Sequence, residues 1–349
     1  MKPASLLSIA FSFLSVLIAS AQSQIGGSSV YSFLNTPMSA RSASLGGTFI
    51  SIKDHDLNLA LQNPALLNEK MNHMVALSGV SFTGGVRGGD ATYARHINKI
   101  GTLMAGIQYI NYGQFLETDI TGQINGTFKA ADYCLQLSAA RPLNKYFSLG
   151  ASLKTIYSDY YLSNSIGLAM DAAIHFHDTV SQWSGTILAR HAGAQIKAYT
   201  AGNKEPLPIE VVAAISKKFS KAPLRMSLTW RHLENFNITY IDPTLNTQIN
   251  PETGEPETEK ITLLDKAVAH VIVSTEILLS KNFHLRAAYN FQRRSEFVIE
   301  DRKGTVGISF GFGLKINRFL LNYGRSIYAL AGGTNHFSVA FNLNEFGLK

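Results

Sequence analysis

Five groups of residues have types and spacings that chemistry uses. Gly307-Ile308-Ser309-Phe310-Gly311 fits the G-x-S-x-G frame, in which a sharp strand-to-helix turn exposes a serine nucleophile. Here the frame sits inside an alternating stretch, Gly304 to Lys315, with no helix following and no Ser/His/acid set to serve it. We therefore read a plain strand and no catalytic residues. His175 and His177 project from one strand face, where two imidazoles can share a metal. Asp171 is the one carboxylate at matching spacing and no Cys joins them, so no metal site is expected. Gly84-Gly85-Val86-Arg87-Gly88-Gly89 could cradle an anion on its N–H groups. It lacks the Lys-Ser/Thr pair and the helix of a phosphate loop, and reads as a hairpin loop. No cofactor is expected.

The fourth group is a set of charges on the polar faces of alternating segments: Lys154, Asp171, Glu210, Arg225, Arg231, Glu276 and Arg286. Both signs are present. In a low-dielectric enclosure they should pair, because an isolated charge there is costly. A ladder of one sign, as an ion-selective pore would need, is missing, so paired side chains are favoured over a permeation path. The fifth is the segment Asn237 to Lys266. It holds Asp242-Pro243, Asn250-Pro251 and Gly254-Glu255-Pro256, with Glu252, Glu257 and Glu259 among them. Pro, Gly and charge make an irregular exposed surface. It is either a passive loop or a docking surface for a partner.

What must position these groups is a series of strands. From about residue 71 to 343 the chain alternates with period two, which sends successive side chains to opposite faces. Phe147, Leu149, Ala151, Leu153 and Tyr157 oppose Ser148, Gly150, Ser152, Lys154 and Ser158. Val306, Ile308, Phe310, Phe312 and Leu314 oppose Thr305, Gly307, Ser309, Gly311 and Gly313. Phe337, Val339, Phe341 and Leu343 oppose His336, Ser338 and Asn342. A soluble sandwich alternates too, with its apolar face inward. Three features favour a membrane. Charged residues are 16 % of the chain, against ~25 % in ordinary soluble proteins. Strands reach ten residues or more, beyond the mode of about 5–6. Short turns at 96–99, 142–145, 178–182, 220–223, 280–282 and 316–318 alternate with longer connections at Gly113 to Gly126, Thr200 to Pro206 and Asn237 to Lys266, as in outer-membrane barrels. Strand starts near 71, 89, 101, 127, 146, 164, 183, 207, 223, 267, 283, 303, 319 and 334 give fourteen, with twelve or sixteen as alternatives. The expected fold is all-β, a transmembrane antiparallel barrel of about fourteen strands over 71–349.

The N-terminus supports export. Lys2, the apolar run Leu6 to Ile18 and the small residues Ala19-Ser20-Ala21 form a cleavable signal over 1–21, with the mature chain starting near Gln22. Cys134 is the one cysteine, so no internal disulfide forms. The net charge of +7 comes from scattered residues, which fits anionic lipid headgroups and not nucleic acid. Residues 22–70 are loop-like, with one short helical segment placed to enter the barrel mouth.

That segment carries a resemblance. Phe33-Leu34-Asn35-Thr36-Pro37-Met38-Ser39-Ala40-Arg41 runs to Gly46-Gly47. Asp54-His55-Asp56-Leu57-Asn58-Leu59-Ala60-Leu61-Gln62 and Asn63-Pro64-Ala65 follow. It resembles the entry segment of the long-chain fatty-acid transporter superfamily, in which an Asn-Pro-Ala stretch belongs to a hatch before a fourteen-stranded barrel. More narrowly it resembles the PorQ family of type IX secretion accessory proteins. The resemblance implies a plug motif at Ser39, Ala40, Arg41, Gly46, Gly47, Asn63, Pro64 and Ala65. It also implies an outer-membrane scaffold in lipid and lipopolysaccharide that holds a cell-surface secretion-system protein while cargo is processed and attached. The rival expectation is a transporter of hydrophobic small molecules. One departure concerns the C-terminus, where such barrels end on an aromatic residue: here Phe341 or Phe346 must take that place.

Overall fold

Alternation of this length can satisfy every backbone group in lipid only if the sheet closes on itself, and it does. The computed structural model describes residues 29–239, 247–249, 256–258, 262–297, 304–329 and 332–347. Fourteen antiparallel strands form a closed barrel: β1 (Met74–Ser81), β2 (Arg87–Ile97), β3 (Gly101–Thr118), β4 (Ile124–Pro142), β5 (Phe147–Tyr160), β6 (Ser163–His177), β7 (Trp183–Lys197), β8 (Glu210–Lys218), β9 (Leu224–Trp230), β10 (Val271–Ile277), β11 (Phe283–Asn290), β12 (Ile308–Ile316), β13 (Phe319–Ala329) and β14 (Gly332–Asn342). Each pairs with its sequence neighbours. The last closes on the first, from Met74 opposite Asn342 to Ser81 opposite Asn335.

The burial pattern is the reverse of a soluble sandwich. Along β5, Ser148, Ser152, Lys154 and Ser158 are buried while Leu149, Leu153 and Tyr157 are exposed. Leu135, Leu137, Met170, Ile187, Phe310 and Phe337 also face out. A closed sheet with polar groups inside and an apolar outer band is built for hydrocarbon surroundings. Tyr109, Tyr133 and Tyr157 make an outer ladder with centroids 4.9 and 6.1 Å apart. At the short-turn end Phe147 lies 5.3 Å from Phe176, and Phe341 lies 5.7 Å from Phe319 and 5.9 Å from Phe346. These rings sit where interfacial aromatic girdles belong.

The wall is uneven. β3 and β4 have 18 and 19 residues, β9 and β10 seven each. At about 3.3 Å per residue and a tilt near 40°, that is a height of roughly 45 Å against roughly 18 Å. An apolar band is about 25 Å tall, so the β3–β4 hairpin stands well clear of it while the strands on the β9–β10 side fall short of its height.

Residues 29–71 lie inside the barrel. They contain two short helices, α1 (Ala40–Ser44) and α2 (Leu57–Ala60), and 3-10 turns at Ser32–Asn35, Pro64–Leu66 and Glu69–Met71. The sequence reading expected one short helical segment. The apolar core of the molecule is the packing of this plug on itself and on the wall. Val30, Tyr31, Phe33, Leu34 and Met38 pack with Val80, Ile110, Ile156 and Leu207 toward the long-loop end. Leu57, Leu61, Leu67 and Met71 pack with Met74, Met104 and Ala140 toward the short turns.

All fourteen expected strands are present, with starts shifted by at most five residues, from 303 to 308. That shift has a cause. Gly307 has φ of +89°, its N–H donates to the Ile327 carbonyl and its carbonyl accepts from Asn290. The strand is broken there, and Val306 turns inward and is buried, contrary to the expected face. The start expected at 267 becomes 271 because Thr262 and Asp265 form a reciprocal capping box that nucleates a third helix, α3 (Leu263–Ala269). Gly113 to Gly126, expected as a loop, is mostly strand. Phe115 and Phe128 pair across it at 5.3 Å, Phe128 and Tyr161 at 4.6 Å, and cross-strand aromatic pairs hold such an extension together. Leu343 leaves β14 and opens a 3-10 turn. A fourth helix, α4 (Phe291–Phe297), follows β11. Residues 1–21, assigned to the signal, lie outside the described residues, as do Asp242, Pro243, Asn250, Pro251 and Gly254. Pro256 begins a three-residue strand paired with Thr247–Ile249.

Candidate functional site: the plugged lumen

The Ser39-Ala40-Arg41 stretch is a helix start. Ser39 is the N-cap of α1, its hydroxyl accepting from the Ser42 N–H. Capping fixes the direction of Arg41 from the helix's first turn. The Arg41 guanidinium is buried and forks onto Glu276 of β10, Nε to Oε1 at 3.0 Å and Nη2 to Oε2 at 3.2 Å. Its Nη1 lies 2.7 Å from Asp54 and 3.2 Å from Asp56 of the plug. Glu276 also receives Arg225 of β9 at 2.6 Å and Arg286 of β11 at 3.0 Å. Three guanidinium groups meet three carboxylates, so the network is formally neutral. Burial alone would raise the Asp54 carboxyl, but Arg41, with Arg225 behind it, holds it below the usual carboxylate range. Burial likewise opposes the Arg41 charge, and Asp54, Glu276 and Asp56 together hold its pKa above the ordinary arginine value.

Asn63-Pro64-Ala65 is a second fixed corner. The Asn63 side-chain Oδ1 accepts from the Ala65 N–H at 3.0 Å, while its Nδ2 donates to the Ile50 carbonyl at 2.7 Å. Pro64 opens the 3-10 turn, where a missing N–H costs nothing. The turn lies flat on β5 at Gly150: a Cβ there would stand 2.2 Å from the Ala65 nitrogen. Ala40 meets the other side of the barrel in the same way, its carbonyl oxygen 2.2 Å from where a Gly324 Cβ would be. Between these corners Gly46 and Gly47 carry the chain past β10 and β11, the Gly46 carbonyl accepting from Asn290 at 3.0 Å.

The seven lumen charges named from sequence fall into three groups. Arg225, Glu276 and Arg286 join Arg41. Glu210 takes Arg231 at 2.7 Å and Arg190 at 2.5 Å. Arg231 lies just beyond the end of β9, not within it. Lys154 lies 2.6 Å from Asp171. Asp171 also accepts from the His191 N–H at 2.9 Å, which holds a bulge in β7 where Arg190 and His191 both turn inward. His175 and His177 stand with rings 6.3 Å apart, and His175 Nδ1 is 2.8 Å from the Thr186 hydroxyl.

Sequence reading missed Asp54 and Asp56 as partners of Arg41, Arg190 on the bulge, and Gly150 and Gly324 as seats for the plug. The acidic pair inside Asp54-His55-Asp56 beside a lone plug arginine was the available signal for the first. A bulge leaves none. Among the described residues, one cavity of about 20 Å³ lies between plug and wall, lined by Leu34, Met38, Gln62, Gln108, Lys154 and Arg190, with room for about one water centre.

No family model matches this chain, and no curated protein does. Solved structures similar to it include the toluene transporter TbuX of Ralstonia pickettii, with a TM-score of 0.52 at 10 % identity, covering 88 % of this chain and 98 % of that one. The toluene transporter TodX of Pseudomonas putida scores 0.48 at 10 % identity over 87 % and 96 %. A Pseudomonas aeruginosa FadL homologue scores 0.44 at 12 % identity over 88 % and 98 %. The likeness to TbuX shows a shared barrel fold.

Proposed function

We propose that this chain is a plugged outer-membrane barrel that admits hydrophobic small molecules when the plug's outer segment withdraws. The observation that carries the reading is the lining of the lumen toward the long loops. Val80, Ile110, Ile156 and Leu207 of the wall region bury Tyr31, Phe33 and Leu34 of the plug. A water-filled pore has a polar interior. This one has an apolar pocket already occupied by its own chain, which an apolar ligand would fill equally well. The barrel likeness to a protein named as a toluene transporter supports the same reading. The test is complementation: expressed in a strain lacking its own uptake barrel, the chain should restore growth on long-chain fatty acids, and Ile110→Arg should abolish the rescue with barrel assembly intact. No rescue by the wild-type chain counts against transport.

A second reading rests on a different observation. Arg41 ties the plug across to Glu276 of β10, and an internal plug held this way suits a scaffold of type IX secretion that holds a surface protein through its long loops, as the PorQ resemblance implies. In gentle detergent such a scaffold should co-purify with that protein, and trimming residues 240–262 should release it. A partner retained after trimming removes the docking loop from consideration.

A further inference from the structure

Four tyrosines gather at the long-loop mouth, around a carboxylate with no cationic partner. Asp132 of β4 points into the lumen and is 1 % exposed. It accepts from Tyr112 at 2.6 Å, Tyr160 at 2.8 Å and the Ser158 hydroxyl. Tyr199 stacks on Tyr160, centroids 5.3 Å apart and planes 9° apart. Tyr112 meets Tyr160 edge-on at 5.9 Å. Tyr31 of the plug closes the group 6.4 Å from Tyr199.

Three of the lumen acids, Asp171, Glu210 and Glu276, each hold a Lys or Arg within 3 Å. Asp90 of β2 is buried with no ion pair among the described residues, but no ring of tyrosines surrounds it. Among the described residues Asp132 forms no ion pair; hydroxyl donors alone receive its charge. A tyrosine that donates its O–H to a carboxylate gains electron density in the ring, and a ring face attracts a cation. Tyr112, Tyr160 and Tyr199 are half-buried, whereas Asp132 behind them is not reached by solvent. Along β3, β4 and β5 the cage lies one to three residues from the Tyr109–Tyr133–Tyr157 ladder, on its long-loop side.

We propose that this tyrosine cage around Asp132 is a binding site for a small organic cation of the quaternary ammonium class. Such an ion has no N–H to satisfy, so aromatic faces and a buried counter-charge suit it better than hydroxyl or carbonyl donors and acceptors would. A metal dication would demand several oxygen ligands in its first sphere, and one carboxylate already occupied by three hydroxyls does not offer them.

Calorimetric titration of the full chain in maltoside detergent with choline, and with its neutral carbon isostere neohexanol, tests the proposal. Phosphocholine and amine-oxide detergents are avoided because they would compete. Choline should bind saturably and about tenfold tighter than neohexanol, the gap that one partly desolvated cation–π contact supplies. Asp132→Asn and Tyr199→Leu should each weaken choline about tenfold and leave neohexanol unchanged. Tyr199→Phe keeps the ring and should bind choline as the wild type does, which separates loss of the cage from loss of the fold. Heat-dependent gel mobility checks that each variant is a closed barrel. Equal affinity for both probes, or no saturable choline binding by a folded wild-type barrel, overturns the proposal. Neither outcome bears on fatty-acid rescue, so the two readings fail separately.

Discussion

Arg41 is the residue on which the plug's fixation turns. It sits on a five-residue helix, yet it faces Glu276 of the wall and Asp54 and Asp56 of its own segment at once. Removing one member of a buried ionic network leaves the others uncompensated, at a cost of about 3–5 kcal/mol. Arg41→Ala should therefore lower stability by that order, read as a shift in the urea midpoint of the folded-band mobility. Arg41→Lys should not restore it, since an ammonium cannot fork onto Glu276 while reaching both plug acids. The pH dependence follows from Asp54, whose folded pKa is depressed. Its contribution is complete above the unfolded carboxylate value of about 3.9 and is lost as pH falls through the lower folded value. The plug should loosen in acid, below pH ~4, and proteolysis of residues 29–71 across that range would show it. A pH-independent cleavage rate would remove Asp54 from the latch. At this scale the sequence was half legible. Glu276, Arg225 and Arg286 were readable as lumen charges because period two sends them inward. Their common meeting point was not, because it depends on which strands close the barrel beside one another.

At the scale of elements, small residues decide where the plug rests. The Asn63-Pro64-Ala65 turn and the first turn of α1 lie against Gly150 and Gly324, with no room for a Cβ at either. Gly150→Val should force the turn off β5. Overpacking of this kind costs about 1–3 kcal/mol, and the plug can escape it by moving. The expected outcome is an intact barrel by heat-modifiability with faster labelling of a cysteine placed at Ser51; unchanged labelling would mean the wall gives way instead. Strand length makes a second prediction. β9 and β10 have seven residues each, against fourteen in β5, and share fewer ladder bonds with their neighbours. Their amides should exchange faster than those of β4 and β5 in lipid nanodiscs, and uniform protection around the barrel would contradict the uneven wall. Strand order, and every strand start to within five residues, were readable from the alternation together with the turns that punctuate it. Errors fell where a local device overrides periodicity: the positive φ of Gly307, the capping box of Thr262 and Asp265, and the aromatic pairs that carry β3 and β4 past Gly113.

For the whole molecule, the plug is both core and closure. A soluble domain buries its apolar side chains in one interior, whereas here they divide between lipid outside and the plug inside. The wall thus keeps its backbone bonds without the plug, since every strand has two neighbours. That separates two stabilities. Deleting residues 29–71 should leave a barrel that still shows heat-dependent mobility, though with a lower midpoint, because Glu210 and its arginines remain paired within the wall while Glu276 retains Arg225 and Arg286. The same deletion removes what fills the lumen. In planar bilayers the intact chain, with its plug in place, should show no steady conductance, and the deleted chain a stable step of it. Should the deletion fail to assemble, Gly150→Val and Arg41→Ala give the intermediate case, brief openings from a plug that is loosened but present. Steady conductance from the intact chain would mean that water threads past the plug along a path the static packing does not contain, and the gate would then have to lie elsewhere than in residues 29–71.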